Sequence, residues 1–204
     1  MLFQDTYKTI QLPSEGIFRD RGSKFIAYAY PIQSEEEVKS IIQDLKLAHP
    51  KARHHCWALR LSPNRSFFRI NDDGEPSGTA GRPILNTLLS HDLTQILIVV
   101  VRYFGGTLLG VPGLINAYKT AAAEAISAAK VIEKTVNDQY QLVFDYLQLN
   151  EVMKLIKDKQ LKVISQEMNN YCKLLVEIRQ SEVNQLIGQF EKIPNLRIQY
   201  LQTL

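Results

Sequence analysis

Residues 139–178 read QYQLVFDYLQLNEVMKLIKDKQLKVISQEMNNYCKLLVEI, a run in which apolar residues recur first at every second position, then at helical spacing, then at every second position again. The spacing predicts a strand over 139–145 and a helix over 147–159, with Leu149, Val152, Met153 and Ile156 on its buried stripe. Strands over 161–168 and 171–178 follow, joined at Asn169-Asn170, residues that tolerate the left-handed conformation of a tight hairpin turn. Cys172, Leu174, Val176 and Ile178 share one face of the second strand, while Lys173 and Glu177 point away. Ser181 is the expected N-cap of a helix that buries Val183, Leu186, Ile187 and Phe190, after which Leu196, Ile198 and Tyr200 alternate along a last strand. The resulting βαββαβ order is that of a ferredoxin-like unit over 135–204. It contains no glycine loop, histidine or acidic cluster, which suits a docking platform.

Working outward, residues 1–134 form a separate and longer domain. A strand is expected over 24–30, after the Arg21-Gly22-Ser23 turn. A helix is expected from Ser34 as N-cap to about Ala48, with Glu35, Glu36 and Glu37 at the positive end of its dipole. Strands over 54–61 and 66–70 flank the Pro63-Asn64 turn, and a short helix spans 84–89. The continuous apolar run within 93–104 predicts a central strand covered on both faces. Pro112 suits the first turn of a helix to about Lys130, in which Ala117, Ala121, Ala122, Ala125 and Ala129 permit close packing on a sheet. Together the two domains give an α+β protein with a crossing segment at 131–137.

Composition narrows the function without choosing it. The 204-residue chain is 45% hydrophobic and 22% charged, an ordinary globular balance, and its net charge of +3 permits contact with a polyanion without requiring one. Two distant cysteines, Cys56 and Cys172, suggest no disulfide framework and fit a reducing compartment. The opening MLFQDTYKTI lacks the pattern of a secretory signal, and no apolar run is long enough to cross a bilayer, so the expected location is the cytoplasm.

The unusual residues cluster in two glycine-rich segments, NDDGEPSGTAGRP at 71–83 and VVRYFGGTLLGVPGLINAY at 100–118. A helix emerging from a glycine loop offers unpaired backbone amides to an anion, as Gly105, Gly106, Gly110 and Gly113 ahead of 114–130 would do, with Arg102 and Lys119 as cationic helpers. Tight strand-to-helix packing explains the same glycines equally well. The spacing is that of neither a Walker loop nor a dinucleotide fingerprint. Asp72, Asp73 and Glu75 beside Ser77 and Thr79 read as magnesium ligands or an acid/base pair, or as turn chemistry around Asp73-Gly74, and the turn reading is preferred. His54 and Cys56 share one strand face, His55 and Trp57 the other. With His49 near, a zinc site or a thiol nucleophile is imaginable, but no CxxC or HExxH spacing exists. Tyr103, Phe104 and Tyr118 near Arg102 read as core or loop anchors or as base-stacking rings.

These residues carry a resemblance. The series Ala52-x-His54-x-Cys56-x-Ala58, then Asp72-Asp73-Gly74-Glu75-Pro76-Ser77-Gly78-Thr79-Ala80-Gly81-Arg82-Pro83, then Arg102-Tyr103-Phe104-Gly105-Gly106 with Leu109-Gly110 and Gly113-Leu114, closely resembles the IMPACT/YigZ family, as does Lys24-Phe25-Ile26-Ala27. The match covers about the first two thirds of the chain. It implies a first domain folded like the second domain of a small-subunit ribosomal protein and a second like the last domains of elongation factor G. Eukaryotic relatives carry a different amino-terminal extension and restrain a starvation-responsive kinase of translation initiation, whereas bacterial relatives lack that extension. One departure stands out: where relatives commonly read LGAGGLVRAY, this chain has Pro112 for a glycine and Asn116 for an arginine. That substitution removes a positive charge from the anion site.

The expectation is a non-enzymatic, translation-associated regulator that binds RNA, the ribosome or another polyanionic partner, without cofactor, metal or membrane. Lys24, Arg82, Arg102 and Lys119 are the expected anion contacts, and the glycine loops shape the cleft. Two rivals remain open: a nucleotide-dependent phosphotransferase or hydrolase using Asp73 or Glu75 in the same cleft, and a protein-interaction module working through the ferredoxin-like sheet.

Overall fold

The computed structural model describes residues 5–204; residues 1–4, part of the stretch read for a targeting signal, lie outside that range. The chain divides into two compact units, Tyr7–Lys134 and a second made of Thr135–Leu204 with Asp5 and Thr6. Asp5 explains its own membership: its carbonyl accepts the Val136 amide at 2.7 Å, and its carboxylate takes two hydrogen bonds from Arg179, at 2.6 and 3.0 Å.

In the larger unit the elements are β1 (Thr6–Ile10), β2 (Ser14–Asp20), β3 (Ser23–Pro31), α1 (Glu36–Ala48), β4 (His54–Leu61), β5 (Phe67–Asn71), α2 (Gly81–Ser90), β6 (Ile96–Tyr103), α3 (Gly110–Ala128) and β7 (Val131–Thr135). Five strands form one antiparallel sheet in the order β2-β3-β6-β4-β5, and β1 pairs with β7 in a separate ribbon. Strand alternation divides the core. Phe25, Cys56, Ala58, Ile98 and Val100 face α2 and α3, whereas Leu59, Leu97 and Val99 face α1 through Val38 and Leu45. Central β6 is thus apolar on both sides because both sides are covered. The alanines of α3 allow β2 to approach until a Cβ on Gly16 would stand 2.2 Å from the Ala125 nitrogen. The ribbon of β1 and β7 has no counterpart in the sequence reading, which treated 131–137 only as a crossing segment.

The second unit runs β8 (Asn137–Phe144), α4 (Leu149–Asp158), β9 (Lys162–Met168), β10 (Cys172–Arg179), α5 (Val183–Phe190) and β11 (Arg197–Thr203). Its sheet order, β11-β8-β10-β9 with all pairs antiparallel, is the ferredoxin-like arrangement. Both helices cover the face formed by Leu142, Phe144, Cys172, Leu174, Val176 and Ile178.

Three local expectations are corrected. Ser34 does not cap α1; Glu37 instead reaches back and accepts the amides of Gln33 and Ser34 at 2.8 and 2.9 Å, so a longer side chain satisfies the donors from inside the helix. Ser181 lies within a single 3-10 turn, and α5 begins after it without a side-chain cap. The β9–β10 hairpin turns over three residues, with the Asn169 amide bonded to the Tyr171 carbonyl and neither asparagine in the left-handed region.

Candidate functional site

The loop between β5 and α2 sorts its three carboxylates by geometry. Asp73 and Gly74 both have positive φ, 41° and 86°, and the Glu75 amide closes the turn on the Asp72 carbonyl at 2.9 Å. The Asp72 carboxylate accepts the amides of Gly78, Ala80 and Gly81 at 2.9, 3.1 and 2.8 Å, supplying the cap that α2 needs at its start. The Asp73 carboxylate accepts the His55 amide at 2.6 Å and stands 3.9 Å from the Lys46 ammonium. Thr79 returns its hydroxyl to the Pro76 carbonyl at 2.7 Å, while Ser77 stays exposed. Asp72 and Thr79 therefore hold the loop's own backbone, and Asp73 ties the loop to β4. Among the described residues no three His, Cys, Asp or Glu side chains converge as metal ligands would.

Glu75 is different. It turns inward, its side chain 4% exposed, and its Oε1 accepts the Arg102 Nη1 donor and, at 2.8 Å, the Tyr118 hydroxyl. His54 sits across from Arg102 in the β4–β6 register, its Nε2 3.9 Å from the same oxygen and its Nδ1 2.8 Å from the Asp73 carbonyl. Beneath them Cys56 is fully buried, its Sγ 3.0 Å from the Asp72 carbonyl and 3.3 Å from the Tyr118 hydroxyl. Burial pushes the Cys56 thiol and the Tyr118 phenol far up, so both stay protonated. A thiol held in this way is no nucleophile. Native protein is accordingly expected to leave Cys56 and Cys172 unreacted with an aromatic disulfide reagent, and to release two equivalents only after denaturation; fast reaction of one thiol in the native state would contradict the burial.

On the sheet's other face, His49 bridges Tyr28 and Tyr103, with both hydroxyls at 2.8 Å from its ring nitrogens. His55 is buried there beside Asp73; desolvation lowers its pKa against the pull of that carboxylate. Tyr103 and Tyr118 are thereby anchors, and of the three aromatic residues singled out only Phe104 is exposed, at 40%.

The two glycine segments converge. A hollow of about 380 Å³ is walled by Glu75 and Pro76 from the first and by Leu108, Leu109, Gly110 and Val111 from the second, with Arg53, His54, Arg102 and Phe104 completing it. A second hollow, about 430 Å³, takes Gly78, Arg82, Asn86, Ile115 and Lys119, so the Pro76–Gly78 turn stands between the two. The expected cations are divided as follows. Arg82 and Lys119 are exposed in the second hollow, and Arg102 lies at the floor of the first, 5% exposed and bonded to Glu75. Lys24 does not join either one: it pairs in register with Tyr103, whereas Arg102 pairs with Phe25, and successive residues of a strand face opposite sides. Gly105 does not shape the cleft, because it serves a backbone crossing with Gly22; Gly106 is open, and Gly110 and Gly113 belong to the start of α3. Asn116 is exposed on α3.

Arg53, Leu108 and Val111 were missed from sequence. The one signal in the sequence was the pair of apolar residues, Leu108 and Leu109, next to the glycines of that loop.

An α+β protein with a ligand-sized hollow between two glycine loops is the class that fold and site define. Comparison with known proteins gives the family. The Impact N-terminal domain matches residues 21–126. An IMPACT family member of Haemophilus influenzae is 35% identical over 163 residues, 79% of each chain. YigZ of Escherichia coli is 33% identical over 163 residues, covering 79% of this chain and 80% of that protein. A crystal structure described only as that of a hypothetical protein aligns with a TM-score of 0.74 at 28% identity, over 98% of this chain and 99% of its own. This chain belongs to the IMPACT family. Among the described residues no helix is long and apolar enough to cross a membrane.

Proposed function

We propose that this protein is a translation-associated regulator that works by binding rather than catalysis, and that its partner is RNA, free or in the ribosome, held on the face where α3 begins. One observation carries the reading. Arg82 and Lys119 stand exposed on adjacent helices around one hollow, beside a second hollow that has Arg53 at its edge. Paired surface cations on rigid elements suit a phosphate backbone, whose repeat engages several of them at once. Family membership supports the link with translation, since the resemblance of these motifs points to regulators of its initiation. The non-catalytic part is supported by the chemistry of the loop: Asp72 and Asp73 are occupied by backbone amides, and Cys56 is locked as a thiol.

The test is a salt titration of single-stranded RNA binding, with ribosome co-sedimentation alongside. Replacing both Arg82 and Lys119 by alanine is expected to weaken binding and to reduce the slope of log affinity against log salt by about 1.4, as loss of two single-strand phosphate contacts requires. Unchanged affinity and slope would remove this face from consideration.

A further inference from the structure

We propose that the hollow at the start of α3 holds one unpaired nucleobase of a single-stranded RNA, its polar edge on Glu75 and Arg102 and its flat face against Phe104. The proposal rests on the RNA-binding reading above and specifies how the strand is gripped.

The floor comes first. Arg102 and Glu75 cancel each other's charge, so the floor does not select a bare ion, and Glu75 would repel a phosphate pushed to the bottom. Hydrogen-bonding capacity is nevertheless left over. The Arg102 Nε–H is buried with no partner. Glu75 receives both its bonds, from Arg102 and Tyr118, on Oε1, which leaves the lone pairs of Oε2. A donor beside an acceptor on the floor of the hollow complements a base edge, which carries an acceptor beside an amino donor. An apolar side chain would fill the same space while leaving the Nε–H unsatisfied, a poor exchange for a group already out of water.

The walls point the same way. Phe104 is partly exposed, and two guanidinium groups lie near its ring, Arg102 at 5.7 Å and Arg53 at 5.9 Å from the centroid. An aromatic ring framed by arginines is a stacking platform for single-stranded nucleic acid. Leu108, 81% exposed, supplies further apolar cover at the mouth. The phosphate attached to such a base would meet Arg53 and the amides at the start of α3, where no side chain caps the helix. Past the Pro76–Gly78 turn, Arg82 and Lys119 are placed for the next stretch of backbone.

The experiment compares two labelled probes on the full chain by fluorescence anisotropy: a single-stranded oligoadenylate, and an oligomer of equal length with the same ribose-phosphate backbone and no bases. The oligoadenylate is expected to bind about tenfold more tightly, in line with one base–aromatic stack. Phe104→Leu, at a partly exposed position where folding is checked by thermal melting, is expected to erase most of that difference. Leu108→Ser is expected to reduce the difference part of the way. Equal binding of the two probes to the parent protein overturns the base pocket while the RNA reading stands. A base preference that survives Phe104→Leu places the base elsewhere and also overturns the proposal. Failure of both probes to bind overturns the pocket and the RNA reading together.

Discussion

Replacing Arg102 with methionine lowers the unfolding free energy of the Tyr7–Lys134 unit by about 3–5 kcal/mol, the usual cost of removing one partner from a buried ion pair. Methionine fills much of the arginine's volume, so the loss is electrostatic: the Glu75 carboxylate keeps the Tyr118 hydroxyl but loses the guanidinium bonded to it, at a position where both side chains are buried. The double replacement Glu75→Leu with Arg102→Met removes both charges and recovers most of the stability, leaving a deficit of about 1–3 kcal/mol for the Tyr118 hydroxyl that has lost its acceptor. Urea unfolding followed by circular dichroism measures both. A single variant within about 1 kcal/mol of the parent would mean that the pair is far more solvated than its burial implies.

Gly105→Ala is expected to cost at least about 3 kcal/mol and to leave little folded protein at elevated temperature. A Cβ there would fall 1.9 Å from the Gly22 carbonyl carbon and 2.1 Å from the Ser23 nitrogen, so the obstacle is backbone on the β2–β3 turn, with no flexible side chain to move aside. The neighbouring Gly106→Ala is the control: nothing lies within 4 Å, and only its φ of 89° opposes the change. Its cost is expected to be about 1–2 kcal/mol, that of a left-handed residue acquiring a Cβ. Paired thermal melts decide it, and equal losses at the two positions would show that the close approach at Gly105 costs no more than the left-handed φ at Gly106.

These two positions mark the boundary of what sequence patterns disclose. Alternation in His54, His55, Cys56 and Trp57 was enough to assign strand faces, because a period of two follows from backbone geometry alone. The ferredoxin-like order was equally legible, since its strands and helices each carry their own local periodicity. The Asp73-Gly74 turn was readable from its residue types, and the structure shows both in the left-handed region. Caps were less so: Ser34 and Ser181 had the right chemistry, yet Glu37 and a 3-10 turn took those places through contacts no single residue announces.

The sequence by itself determined the α+β class, the two-domain order, the face of each core strand and the family, because these follow from periodicity and from a long uninterrupted motif. Only the tertiary structure decided that Asp72 and Asp73 serve the backbone while Glu75 turns inward to Arg102, that Gly105 admits Gly22, and that Lys24 lies across the sheet from the hollow. Three neighbouring carboxylates look alike along a chain. What separates them is which one is brought against a cation on a strand distant in sequence, and that depends on packing between elements rather than on any property local to the loop.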